Sequence, residues 1–351
     1  MSNEKRIFVL HKEINDIDSF KDYIIAKDYL DGINLVWDAD SPDYLFATEQ
    51  IYSEASMWEL FKKLYPKCKL AVFYTIEALS VDFNLFDFGF TYDDSILGER
   101  HCRVLPPEDY YQNWLSKKNN DINSIEDARL LLPNKQFCNF LYSNWNAHPY
   151  RDQLFFAISN YKHVDSLGRH LNNIGQKGTG YIGHASEVVG IKSRYKFTIA
   201  CENAFFPGYT TEKMLSSLEA HTVPIYFGNM DISLEVNPDC YINCLDYDNI
   251  SDVVKKVKEI DENDDLWCSM ISRPWYTKDQ LSSKQERRAR YYSYIQSLFT
   301  EEIKDLELRG KGTALYKYND FMFNHKVEGR NKKILKMIIN KVLNNKMSNN
   351  K

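Results

Sequence analysis

The stretch YKFTIACENAFFPGYTTEKMLSSLEAHTVPIYFG, residues 195–228, sets acids, a base and turn formers in an order that chemistry could use. Glu202 and Asn203 follow an apolar run, and PGYT turns the chain. Glu212 and Lys213 then open a run in which Met214, Leu215 and Leu218 recur at helical spacing. Thr210 or Thr211 suits the cap of that helix. Glu212 agrees with the positive end of a helix dipole, and Lys213 does not. A bound diphosphate would satisfy both the ammonium and the unpaired N–H groups of the turn. A solvent-exposed lysine tolerated at small cost would leave the same trace.

The elements that must carry these residues are short. YKFTIACEN alternates, with Phe197, Ile199 and Cys201 on one face, and TVPIYFG returns as a second strand, so the stretch reads as one βαβ crossover. Earlier, RIFVLH, INLVWDAD, DYLFAT, CKLAVFYT, FDFGFTYDD and RHCRVLPP read as strands, with YSEASMWELFKKLYP as an amphipathic helix. Glu77 follows AVFYT and so stands at the carboxyl end of a strand. After the polar segment 108–134, read as a loop or poor helix, a second set begins at KQFCNFLYSN. It continues through HPYRDQLFFAISNY, HVDSLGRHLNN, the loop GQKGTGYIG, CYINCLDY and the helices NISDVVKKVKEIDEN and SKQERRARYYSYIQSLF. Strands alternating with helices imply two α/β halves with parallel sheets, and ligands of such sheets bind beyond the strands' carboxyl ends. The expected division is 1–134, 135–300 and a C-terminal part, 301–351.

Composition narrows the classes. Of 351 residues 44% are hydrophobic, and the formal net charge of -5 leaves no basic footprint for nucleic acid. Seven cysteines, odd in number and scattered, read as buried thiols rather than a disulfide framework. The N-terminus shows no apolar leader and no run is long enough to span a membrane, so a cytoplasmic chain is expected. Residues 326–351 carry eight Lys/Arg against one Glu, with Ile334, Ile338 and Val342 in one stripe and Leu335, Ile339 and Leu343 in another. That pattern fits peripheral contact with an anionic membrane, or equally a helix capping its own domain.

The stretch 195–228 resembles the donor-binding motif of the α-1,3/4-fucosyltransferases, glycosyltransferase family 10, whose pattern runs Y-K-F-x-x-x-F-E-N, a short loop, Y-x-T-E-K and V-P-I/V-x-x-G. FYTIEALSVDFNLFDFGFTYDD is similar to the family's acceptor-domain segment. YSNWNAHPYRDQLFFAI with VDSLGR is similar to the opening of its donor domain. The resemblance runs in order from about Lys69 to about Asp246. It implies a GT-B architecture, two Rossmann-like domains facing across a cleft, with GDP-fucose as donor, an oligosaccharide acceptor and inversion at the anomeric carbon.

Such a transfer needs a carboxylate to take the acceptor's proton and cations around the departing diphosphate. Glu77 matches the family's base, although Ile76-Glu77-Ala78 departs from the usual Gly-Glu-Asn. Arg169, read as standing at a helix start, matches the arginine that contacts the diphosphate. By the same matching, Tyr209 would bond a phosphate, Glu212 sugar or ribose hydroxyls, and Asn203 would lie against the nucleotide. Glu202 would orient the loop or contact the donor, and Ser143 and Asn144 would contribute to the donor pocket. Cys201 replaces the usual phenylalanine before Glu202.

Asp38-Ala39-Asp40 forms a D-x-D, but far in sequence from the donor motif. It reads, with Asp93-Asp94 and Asp264-Asp265, as turn carboxylates. No obligate metal is expected, with a divalent cation left as a possible stimulant. Two rival readings are a GT-B transferase with another nucleotide sugar, told apart by stabilisation with UDP rather than GDP, and a non-catalytic nucleotide- or carbohydrate-binding protein. The acceptor implied by the resemblance contains N-acetylglucosamine, as in N-acetyllactosamine on a bacterial surface glycan.

Overall fold

The computed structural model describes residues 4–105, 120–175 and 185–300, apart from the side chains of 185 and 186. Pro106-Pro107, most of the loop GQKGTGYIG and the basic tail lie outside the described residues.

The chain forms two compact units. Of the described residues, the first holds 4–91, Ile96–Val104 and 290–300; the second holds Tyr92–Ser95 and those between Leu105 and Ala289. The units therefore part at 104/105 rather than at 134, and the last described residues return to the first.

The first unit's strands are β1 (Lys5–Leu10), β2 (Leu35–Trp37), β3 (Tyr44–Ala47), β4 (Leu70–Tyr74), β5 (Phe88–Thr91) and β6 (His101–Arg103). They pair in the order β2-β1-β3-β4-β5-β6, every pair parallel. Its helices include α1 (Ile17–Tyr23), α2 (Gln50–Ser53) and α3 (Ala55–Leu64). Sequence reading passed over α1, which Asp16 and Ser19 close with a reciprocal capping box. Trp58, Phe61 and Leu64 of α3 pack on Ala71 and Phe73 of β4.

The second unit's strands are β7 (Gln136–Phe140), β8 (Val164–Ser166), β9 (Tyr195–Cys201), β10 (Val223–Phe227) and β11 (Ile242–Asn243), in the order β11-β10-β9-β7-β8, all parallel. Its helices are α4 (Ile125–Leu131), α5 (Tyr150–Tyr161), α6 (Ala185–Lys192), α7 (Glu212–Glu219), α8 (Ile250–Asp261), α9 (Asp264–Ile271) and the start of α10 (Lys278–Thr300). The polar segment before residue 134 thus contains a helix, α4, because Ser124 caps it by accepting from Asp127 N–H and its own Ala128 is buried.

All seven residues of β9 are buried, not only alternate ones. Phe197, Ile199 and Cys201 face one core, with Val253, Val257 and Trp267, while Ala200 faces another with Met214, Leu215 and Leu218 of α7. Parallel sheets covered on both faces require this. Lys196, on the same strand, ends at Asp261 O (2.9 Å) and Asp264 (3.2 Å). The seven cysteines are buried free thiols. Among the described residues no helix is long and apolar enough to cross a membrane.

Candidate active site

In the second unit the strand order turns between β7 and β9. Beyond the carboxyl ends of the strands flanking such a point a doubly wound sheet takes its ligand. Tyr142, Ser143 and Asn144 follow β7, and Glu202 and Asn203 follow β9. The Tyr142 hydroxyl ties the two ends together, lying 2.9 Å from both Ile199 O and Cys201 O. His148 N–H donates to Asn203 O at 2.8 Å.

Glu202 is fully buried. Its carboxylate accepts from Thr211 N–H at 2.8 Å and from the Thr211 hydroxyl at 2.6 Å, and pairs with the Lys213 ammonium at 3.3 Å. Lys213 also donates to Thr211 Oγ1 (2.9 Å) and pairs with Glu212 (3.2 Å). The dipole mismatch at Lys213 is therefore offset by two carboxylates of the protein itself. Thr211 is the N-cap residue of α7, but its hydroxyl serves Glu202 instead of the helix. Burial pushes the Glu202 carboxyl up, against the pull of Lys213. At Lys213 burial works against the charge, yet Glu212 and Glu202 hold its pKa above the usual value. At Glu212 burial raises the pKa, and Lys213 together with hydrogen bonds from the backbone and Thr211 more than reverses it.

Two glycines make this packing possible. A Cβ on Gly228, at the end of β10, would lie 2.5 Å from Glu202 Cγ. Gly208 has φ +70, and a Cβ there would meet Tyr92 O at 2.1 Å. Asn229, which sequence reading missed although it directly follows Gly228, fastens the turn. It accepts from Gly208 N–H (2.9 Å) and donates to Thr210 Oγ1 and Glu235 (both 3.1 Å). Tyr209 is buried at 2% exposure, edge-on to Tyr92.

Arg169 is exposed and lies in a turn after β8, not at a helix start. Gly168 forces that course: a Cβ on it would fall 1.9 Å from Tyr142 O. Asn173 and His170 close the turn through Ser166 N–H (2.8 Å) and Ser166 Oγ (2.8 Å). Arg169 N–H reaches Ser143 Oγ at 3.5 Å, so these two predicted residues are neighbours. Asn144 and Asn203 are joined by Arg151, another residue sequence reading missed. Only 1% exposed, Arg151 donates to Asn144 O (2.8 Å), approaches Asn203 Oδ1 (3.5 Å) and lies over the Tyr142 ring.

Glu77 belongs to the first unit, past the end of β4, and is exposed. Thr75, fully buried, anchors it: the Thr75 hydroxyl donates to Glu49 (2.8 Å) and accepts from Glu77 N–H (3.1 Å). At the same edge the rings of His11, Tyr23 and Tyr74 follow one another at 5.0 and 5.3 Å. Burial lowers the His11 pKa, against Glu49.

Asp38 of the D-x-D accepts from Asp40 and Ser41 N–H, both at 2.9 Å, as a turn-forming aspartate does. Among the described residues no three His, Cys, Asp or Glu side chains gather to hold a metal ion.

The two parallel sheets with helices on their faces place the protein in the GT-B fold class. Its fold is similar to the crystal structure of an α1,3-fucosyltransferase, with a TM-score of 0.67 at 20% identity over 88% of this chain and 92% of that one. The same holds for an α1,3-fucosyltransferase crystallised with GDP-fucose, with a TM-score of 0.64 at 21% identity over 89% and 94%. Residues 132–306 match the C-terminal region of glycosyltransferase family 10 (fucosyltransferase), and the chain belongs to that family. It is 25% identical over 284 residues to the alpha-(1,3)-fucosyltransferase FucT of Helicobacter pylori, covering 72% of this chain and 55% of that protein. It is 26% identical over 234 residues to GDP-fucose protein O-fucosyltransferase 3 of Xenopus laevis, covering 65% and 47%. The chain thus spans about half the length of these curated relatives.

Proposed function

We propose that the protein is an inverting α-1,3-fucosyltransferase. It moves L-fucose from GDP-fucose to a hydroxyl of an N-acetylglucosamine-containing acceptor. The observation that carries this reading is the Glu202–Thr211–Lys213 cluster at the switch point of the second sheet, inside the family-matched segment. There Lys213 and the first-turn N–H groups of α7 face developing phosphate charge, with exposed Arg169 beside Ser143 on the neighbouring strand end. As the acceptor oxygen attacks the anomeric carbon, its proton passes to the Glu77 carboxylate. The bond from that carbon to the diphosphate breaks, and the negative charge stays on GDP. Arg169 and Lys213 stabilise that charge. Asn203, Tyr209, Glu212, Ser143 and Asn144 shape the donor pocket, with Glu202 fixing Lys213.

One relative is named for an alpha-(1,3) linkage and another for transfer to protein. N-acetyllactosamine in surface glycan synthesis is the reading adopted, in the cytoplasm, with residues 326–351 resting on an anionic membrane surface. Deleting those residues is expected to release the protein from anionic liposomes and to leave GDP binding intact. GDP release from GDP-fucose, with and without N-acetyllactosamine, tests the main reading. Acceptor-dependent release is expected, and stabilisation by UDP but not GDP would sink it.

A further inference from the structure

Lys192 closes α6 and is 5% exposed, an unusual place for an ammonium. Its Nζ lies 2.6 Å from Ser216 Oγ, 3.2 Å from Ser217 Oγ and 3.3 Å from Lys213 O. Both hydroxyls already spend their protons: Ser216 donates to Glu212 O, and Ser217 donates to Lys213 O at 2.6 Å. Lys192 therefore faces three acceptors and no donor. An ammonium has three N–H groups to give, whereas a neutral amine has two and would set its lone pair against an oxygen. Directly or through a serine, the carbonyls Lys192 holds are those of Glu212 and Lys213, the first two residues of α7.

We propose that Lys192 is a buried positioning cation of the donor site. It fixes the first turn of α7 and lends its charge to a diphosphate bound there. This rests on the reading of that turn as the diphosphate site.

The charged groups facing Lys192 are Glu212 and Lys213 on α7 and Glu202 at the end of β9. Burial lowers the Lys192 amine to about 7, with Lys213 pushing the same way and Glu212 and Glu202 opposing. In the free protein the amine accordingly loses its proton as pH rises past that value. A diphosphate at the turn favours the charged form, so binding above that pH draws a proton onto Lys192 and weakens as pH rises further.

Calorimetry of GDP binding at pH 7.5 and 8.5, in two buffers of unlike ionisation enthalpy, counts that proton. The terminal phosphate of GDP is already ionised there. Wild type is expected to take up as much as one proton and to lose several-fold in affinity between the two pH values. Lys192→Met is expected to bind more weakly, with no uptake. Lys192→Arg keeps the charge and does not titrate in this range, so it is expected to bind equally at both pH values. If Lys192→Met fails to fold, Lys192→Arg decides. Proton uptake in either variant equal to wild type would overturn the proposal, as would wild-type binding with no uptake. Wild type that binds no GDP even at pH 6.5 would instead overturn the donor-site reading on which the proposal stands.

Discussion

The Glu202 carboxylate and the Lys213 ammonium lie 3.3 Å apart, bridged by the hydroxyl of Thr211. This pair couples the end of β9 to the start of α7, and through Gly228 to the end of β10. It holds the lysine in one place before any ligand arrives. Preorganised charge of this kind costs nothing to reorganise during reaction.

Glu202→Gln leaves the Lys213 ammonium with Glu212 as its remaining carboxylate. The expected loss is about 3 kcal/mol, the lower end for breaking a buried pair, because Glu212 stays. Urea unfolding at pH 7 measures it, and a change under 1 kcal/mol would show the pair to be of little structural weight.

Arg169→Ala separates binding from folding. The residue is exposed in a turn whose course Gly168 sets, so stability should move by less than about 0.5 kcal/mol. GDP affinity should fall about tenfold or more, as a charge-assisted phosphate contact is lost. Paired melting and GDP-titration measurements test both halves, and unaltered GDP affinity would remove Arg169 from the site.

Glu77→Gln should lower turnover about 10²–10⁴-fold, the range for losing a general base, with GDP affinity unchanged. Thr75→Val removes the hydroxyl between Glu49 and Glu77 N–H, and a smaller loss of turnover is expected from a base less firmly aimed. Full turnover in Glu77→Gln would place the base elsewhere.

Asp43 gives a clean pH test away from the site. Burial raises its pKa, but the bonds from Arg6 and Lys69 win and hold it at about 2, against an ordinary 3.8. The folded-state value is the lower one, so the stabilisation is present above the ordinary value and is lost as pH falls from about 4 toward 2. Asp43→Asn should cost about 2 kcal/mol at pH 7 and nearly nothing at pH 2. Denaturation midpoints of the two proteins across that range should converge.

The strands were readable because β1, β3, β4, β9 and β10 are apolar runs between turn formers. The positions of Glu202, Lys213 and Glu77 near element ends were readable, because Glu202 follows β9, Lys213 stands in the first turn of α7 and Glu77 comes soon after β4. Arg169 was misplaced because its turn depends on Gly168 meeting the Tyr142 carbonyl, a contact that no local pattern records. Arg151 and Lys192 look like ordinary surface cations in sequence. Their burial is decided by Tyr142 and Asn203 in one case, and by Ser216 and Ser217 in the other, all supplied by other elements.

Helix α10 begins in the second unit and ends in the first. There the Tyr291 hydroxyl donates to Ile24 O, 267 residues away in sequence, Tyr292 stacks on Tyr29, and Phe299 meets Tyr44. A ribosome makes the six strands of the first unit early, yet the rings that close its core are among the last described residues to be made. The second unit, by contrast, is nearly one unbroken stretch. Chains usually fold from the N-terminal domain onward as they are made. Here the order is reversed: the unit whose strands are synthesised first is finished last, and it waits with Tyr44 and Tyr74 uncovered until Tyr291 and Phe299 have been made.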